Sequence, residues 1–181
     1  MERYYTQTIG TPLFTSDGIV VGLIIEIVID PATGKVAGFL LTPGGQHVVA
    51  PNDVIFWEKN IFIQDEEDIL ETHEIFKVAE ILQKNIPIIG NKVFTKNGTY
   101  LGKVYDIGLN PKLFVMTKLA VAKNILGLFP HDKKLIAHAN ILEIKPDRII
   151  VKNIEATVPA KEKTKEESLK IDIAPSTMRK L

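Results

Sequence analysis

The sequence predicts a mainly β protein: two tandem small β-barrels joined by a short helical linker, with a disordered C-terminal tail. Three observations carry that prediction. The stretch from Ile9 to Pro31 recurs without a gap from Ile89 to Pro111, at a spacing of 80 residues, and eight of the 23 aligned positions are identical. Each copy opens on a short apolar run that ends in Asp17-Gly18 or Asn97-Gly98, dipeptides that accept the positive φ of a tight hairpin turn. Short β-branched runs then follow at the close spacing of a small barrel. One small fold has been used twice.

The elements follow in order. Leu13-Phe14-Thr15 and Val93-Phe94-Thr95 lead into the two hairpin turns, for which type I′ geometry is expected. The next strands span Ile19 to Ile29 and Thr99 to Leu109, and Gly22 and Gly102 interrupt them at the same place, where a bulge or sharp bend is expected. In the first copy Asp30-Pro31-Ala32-Thr33-Gly34 is a turn, with proline fixing φ and glycine taking the left-handed position. Strands continue over Lys35 to Thr42, Gln46 to Ala50, Asp53 to Trp57 and Asn60 to Gln64. The second copy resumes with Lys133 to Ala137, Asn140 to Ile144 and Arg148 to Val151. It lacks the Thr33-Gly34 turn and inserts residues around Lys123 to His131. Between the copies, Asp65-Glu66-Glu67-Asp68 could cap a helix start, since negative charge suits the positive end of the helix dipole. Ile75, Val78, Ala79 and Leu82 then fall at helical spacing, which predicts a helix over 71–84. The domain boundaries read as 8–64 for the first barrel, 65–87 for the linker, 88–152 for the second barrel and 153–181 for the charged tail.

Composition narrows the function. Lys and Arg number 22 against 22 Asp and Glu, so the chain as a whole has no field to draw in polyanions, and a nucleic-acid partner is not expected. The absence of cysteine removes disulfides and thiolate metal sites and fits a cytoplasmic setting. The longest apolar stretch, Ile19 to Ile29, is interrupted by Gly22 and Glu26 and is too short to span a bilayer, so the chain is not expected to be membrane-embedded.

The pattern I-G-x-x-[LV]-F-T-x-[DN]-G-x-x-[VL]-G-x-[IV]-x-[ED], at Ile9 to Glu26 and again at Ile89 to Asp106, resembles the PRC-barrel family. That β-barrel module is named for the photosynthetic reaction-centre H subunit and also occurs in a ribosome-maturation factor. The resemblance covers about residues 8–64 and 88–152. It implies two PRC-type barrels that dock other proteins without a shared catalytic site.

The residues that carry chemistry elsewhere form no recognisable set here. His47, His73, His131 and His138 lack the spacing of a zinc site, and Ser16, Ser168 and Ser176 lack a nucleophile context. Glu26 and Asp106 occupy equivalent positions and read as solvent-facing acids or partners of a nearby lysine. No catalytic residue, metal, cofactor or small-molecule substrate is therefore expected. The segment Val121 to Asp132 stands apart because Gly127 and Pro130 argue for a loop, whereas Ile125, Leu126, Leu128 and Phe129 are costly to leave in water. Those four are the candidate partner-binding residues, set against the alternative that they plug the barrel. The expected function is a non-enzymatic adaptor or scaffold that binds a protein partner or itself. A ribosome or RNA-processing assembly factor is the alternative.

Overall fold

The structure is a computed structural model that describes residues 1–42, 45–125 and 129–153. In chain order, β1 (Arg3–Tyr4) and the single-turn α1 (Tyr5–Thr8) precede the first copy. That copy contains β2 (Pro12–Thr15), β3 (Val20–Leu23), β4 (Glu26–Ile29), β5 (Val36–Leu40), β6 (His47–Val49), β7 (Val54–Trp57) and β8 (Ile61–Ile63). The connection supplies β9 (Ile69–Glu71) and α2 (Phe76–Lys84). The second copy contains β10 (Lys92–Thr95), β11 (Tyr100–Asn110), β12 (Val115–Ile125), β13 (Phe129–Ala137), β14 (Ile141–Ile144) and β15 (Ile149–Val151).

The duplication is visible strand for strand. In both copies the opening strand pairs antiparallel with the next and parallel with the last: Phe14 lies opposite Val20 and Phe62, and Phe94 lies opposite Tyr100 and Ile150. In the second copy these ladders run on into one sheet of order β13-β12-β11-β10-β15-β14, with β1 also on β11. In the first copy the strand equivalent to β11 is interrupted at Ile24-Ile25, which leaves one sheet of order β3-β2-β8-β7 and another of order β4-β5-β6-β9. The interruption is local: the buried Ile24 donates its N–H to Thr11 at 2.9 Å and its carbonyl accepts from Gly10 at 2.7 Å. Among the described residues none of the three sheets closes on itself by strand pairing, so the expected barrels are corrected to open sheets.

The hairpin turns differ from expectation as well. Gly18 and Gly98 have φ of 88° and 85°, but Asp17 and Asn97 stay at negative φ, whereas type I′ requires positive φ at both central residues. Thr15 and Thr95 each accept from the glycine N–H at 2.9 Å and donate to Ile19 or Thr99 at 2.9 Å. This is the three-residue loop in which a type I turn ends in a left-handed glycine. The threonine hydroxyls, buried with their residues, also accept from the Ile19 and Thr99 N–H groups at 3.2 and 3.0 Å.

Three further expectations shift. The helix begins at Phe76, because Thr72–Glu74 forms a separate 3-10 turn, and it ends at Asn85 in the left-handed conformation. Asp65 caps a 3-10 turn over Glu66–Asp68 in place of an α-helix: its carboxylate accepts from Glu67, and Asp68 accepts from the Gln64 and Asp65 N–H groups. The segment Val121 to Asp132 is mostly strand, since β12 reaches Ile125 and β13 begins at Phe129, with those two residues paired across the hairpin. Pairing Phe39 with Val49 in the first copy matches Leu119 with Ile136 in the second, so the inserted residues lengthen this hairpin.

One hydrophobic core runs through both copies. It includes Leu13, Phe39, Trp57 and Ile61 from the first and Val93, Leu109, Leu119 and Ile149 from the second. The join has the symmetry of the repeat: Val36 N–H donates to the Phe114 carbonyl at 2.8 Å, and Met116 N–H donates to the Gly34 carbonyl at 2.7 Å, about the Lys35–Val115 bridge. Phe114 takes a φ of 50° where the first copy has Gly34 at 72°, so the turn that the second sequence lacked is present in its backbone. A bulky residue there is costly, and the ring contacts offset it: Phe114 packs 6.3 Å from Phe39 and 5.9 Å from Trp57, centroid to centroid. The N-terminal segment crosses over too. Arg3 and Tyr4 pair with Leu109 and Gly108 of β11, and Thr6 donates through its N–H and hydroxyl to Asp106 at 3.1 and 2.6 Å.

The two strand glycines are not equivalent, although both sit beside a bulge. A Cβ on Gly102, at φ 131°, would meet the Ala122 backbone oxygen at 2.3 Å, whereas one on Gly22 would find Leu41 at an ordinary 3.7 Å. Gly102→Ala is therefore expected to destabilise the protein by roughly 2–4 kcal/mol, and Gly22→Ala by less than about 0.5 kcal/mol. Urea unfolding of both variants checks this, and equal midpoints would contradict it.

Candidate functional site

Side chains alternate across a strand, so the inward positions of the sheet β3-β2-β8-β7 fill the core and the outward ones form a surface. Leu13, Thr15, Ile61 and Ile63 point inward and are buried. The outward set is unusual. Val20, Phe14, Phe62 and Phe56 lie in register across all four strands. The three rings stack, with Phe14 and Phe62 at 5.1 Å and Phe62 and Phe56 at 4.2 Å between centroids. Phe56 and Val20 keep 46% and 53% of their surface in water, and Ile19, Leu23 and Ile55 extend the patch. Cross-strand aromatic stacking stabilises the sheet, but it does not require the rings to face solvent.

The second copy serves as an internal control. The same four positions there are Tyr100, Phe94, Ile150 and Glu143, in the same register. Arg148 sits 5.9 Å above the Phe94 ring, and its guanidinium binds Asp147 at 2.7 Å. Lys92 and Lys103 stand where the first copy has Pro12 and Leu23. The second copy thus keeps an aromatic pair, Phe94 and Tyr100 at 5.3 Å between centroids, but sets Glu143, Arg148 and two lysines around it, whereas the first copy keeps an apolar face. A contiguous apolar patch of this kind marks an interaction surface.

Two cavities lie away from that face, both beside α2. One, of about 210 Å³, is lined by Tyr5, Glu26, Ile81, Leu82, Asn85 and Ile88. Burial there raises the Glu26 carboxyl above the ordinary range, and burial followed by the Glu26 charge raises the Tyr5 hydroxyl. Glu26 is solvent-exposed at the edge of this cleft, as one arm of the expectation has it, whereas Asp106 is half-buried and accepts from Thr6, with no lysine partner for either among the described residues. The other cavity, of about 310 Å³, is lined by Asp30, Lys77, Lys84, His138 and Glu143 among others. Asp30 organises its rim. Its carboxylate accepts from the Ala32 N–H and the Thr33 hydroxyl, both at 3.0 Å, and pairs with Lys77 at 3.3 Å.

Of the residues expected to bind a partner, Ile125 and Phe129 occupy the last pair of the β12–β13 ladder, while Leu126 and Leu128 lie outside the described residues. The charged tail, 154–181, lies outside them as well. Two surface features escaped the sequence reading. The phenylalanine row needs the strand register before it becomes a row. The second was available from counting alone: residues 8–87 hold four Lys and Arg against twelve Asp and Glu, and residues 88–152 hold eleven against four. Overall neutrality conceals a strong internal separation of charge.

With this geometry in place the comparison with known proteins can be read. The family model for the PRC-barrel domain matches residues 1–75 and again 87–158. The chain belongs to the PRC-barrel domain family. It carries two tandem copies, and the first match extends over β1, α1 and β9, elements that pack outside the repeated hairpin pattern. No curated protein matches the chain. No helix among the described residues is long and apolar enough to cross a membrane.

The Asp30 site generates a pH dependence. Burial works to raise this carboxyl, but the Ala32 N–H, the Thr33 hydroxyl and Lys77 outweigh it and hold it below the ordinary range. A depressed folded-state pKa stabilises the fold above the unfolded value of about 3.9 and loses that contribution as pH falls through the folded value. Asn110 makes the same turn in the second copy with an amide, accepting from Lys112 and Leu113 at 2.9 and 3.1 Å. Asp30→Asn is therefore expected to keep the turn, to be less stable than wild type at pH 7, and to converge with it as pH falls through the depressed folded-state value of the Asp30 carboxyl. Thermal unfolding across that range checks the sign.

Proposed function

We propose that the chain is a non-enzymatic adaptor or scaffold of the cytoplasm, which holds a partner protein on the outer face of the sheet β3-β2-β8-β7. The single observation that carries the reading is the stacked row Phe14, Phe62 and Phe56 at the surface of one copy, which the other copy breaks by placing Ile150 and Glu143 at the last two of those positions. The occupant is a partner protein presenting an apolar face of its own. Burying such a row contributes through area and ring contacts, at about 25 cal/mol per Å² of apolar surface removed from water. The β12–β13 hairpin end, with Ile125 and Phe129, is the second apolar position at which a partner or another copy would seat.

The shared core supports the adaptor reading because it makes the two copies one rigid body on which surfaces keep fixed positions. Each copy then presents a different outer chemistry on the same frame. That is what a connector requires.

The test transplants the second copy's residues into the first. Leu23→Lys with Phe56→Glu places Lys103 and Glu143 equivalents on a backbone already known to carry them. The double variant is expected to unfold within a few degrees of wild type and to retain its partner about tenfold less in affinity capture from the native host, scored by mass spectrometry. Sedimentation velocity on the purified pair distinguishes a foreign partner from self-association. An unchanged capture profile would remove this face from the function, and a profile of ribosomal proteins lost with the same variant would favour the ribosome or RNA-processing alternative.

A further inference from the structure

The charge separation has a location. On the outer face of the second copy, Lys92 and Lys103 stand directly opposite each other across β10 and β11. Like charges in that position repel and destabilise the sheet, and neither lysine forms an ion pair among the described residues. Two residues further along β11, Tyr105 is 43% exposed with the Lys133 ammonium 5.9 Å from its ring centre, and Leu135, across β12 on β13, is 59% exposed. Lys92, Lys103, Tyr105, Lys133 and Leu135 thus make a strip in which cations alternate with an amphipathic ring and an apolar side chain. The first copy carries Pro12 and Leu23 where this strip begins.

We infer that this strip is a binding surface for anionic lipid headgroups, so that the protein lies on a negatively charged membrane without entering it. Three features favour a lipid surface over a nucleic-acid strand. The strip holds lysines alone, and lysine serves as a point charge whose attraction to an anionic bilayer needs no particular geometry, whereas base and phosphate recognition favours the arginine fork. The chain as a whole carries 22 Lys and Arg against 22 Asp and Glu, so it lacks the overall positive field that draws a nucleic-acid strand. Tyrosine and leucine next to lysine match the headgroup boundary, where an aromatic ring and an apolar chain sink while ammonium groups stay in water. The first half, with a surplus of eight negative charges over residues 8–87, is repelled by the same bilayer, which confines attraction to the second half.

The test is flotation of the full chain with vesicles of phosphatidylcholine alone and of phosphatidylcholine with about one third phosphatidylserine. Binding is expected only to the anionic vesicles at about 0.1 M salt and is expected to be lost at about 0.5 M. Lys103→Glu with Lys133→Glu should weaken partitioning at least about tenfold. Lys112→Glu with Lys152→Glu, which changes net charge equally away from the strip, should leave partitioning within about twofold. If charge reversal lowers the unfolding temperature, Lys103→Gln with Lys133→Gln replaces it and should weaken partitioning in the same direction. The Leu23→Lys, Phe56→Glu variant should float as wild type does, which separates this surface from the partner-binding face. Equal binding to neutral vesicles, equal loss from both lysine pairs, or tighter binding of a labelled single-stranded oligouridylate that depends on Lys103 and Lys133 would each overturn the inference.

Discussion

Two backbone hydrogen bonds, exchanged between Val36 and Phe114 and between Met116 and Gly34, set the arrangement of the whole molecule. They place the turns after β4 and β11 against each other, and that contact lets the two halves close over one core. A buried N–H or carbonyl must find a partner, so neither turn can be moved without orphaning a group on the other. The constraint explains why the second copy keeps a left-handed turn residue although it has no glycine there. Phe114 is held at positive φ because its carbonyl is needed by Val36 and its ring by Phe39 and Trp57. His138, in turn, leaves no room for a side chain at Gly34, since a Cβ there would meet its Nε2 at 2.5 Å. The two partners of the exchange are therefore specialised: one turn must be bare, and the other must carry a ring.

Inside the sheets the copies have changed little in kind, and outside they have changed in chemistry. Leu13 and Val93, Ile61 and Ile149, and Ile63 and Val151 are buried alike, because a packed interior admits only small differences in volume. The outward positions answer to no such limit. Three stacked phenylalanines occupy them in one half, and Phe94 with tyrosine, isoleucine, glutamate and two lysines occupies them in the other. Identical register on both makes the comparison direct, since the same backbone sites present both sets.

Much of the fold was legible in the sequence because it rested on local signals. The repeat, the glycine turns and the strand boundaries near Thr15, Trp57 and Thr95 are fixed by residues within a few positions of each other. Non-local features were not legible. The strand β12 was missed because Met116 to Ala122 carries no clean alternation: Leu119, Ala120, Val121 and Ala122 are all buried, as in a strand covered on both faces. The turn geometry was misjudged because Asp-Gly and Asn-Gly suit both a two-residue turn and a three-residue loop, and only the Thr15 and Thr95 hydrogen bonds distinguish them. Barrel closure depends on which strand edges meet, which no local signal states. The phenylalanine row combines residues 14, 20, 56 and 62, and no window of sequence contains it.

The crossing of Arg3 and Tyr4 to β11 also bears on how the chain matures during synthesis. When Val36 leaves the ribosome, its acceptor lies 78 positions downstream, and the rings that cover Phe39 and Trp57 do not yet exist. At about 5–20 residues per second the first half waits roughly 4–16 s with that flank uncovered. During the wait, the second half of a neighbouring nascent chain offers the same acceptor and the same ring. An exchanged dimer, each chain completed by the other's half, is the natural error of this architecture, and its frequency depends on how closely ribosomes follow one another on the message.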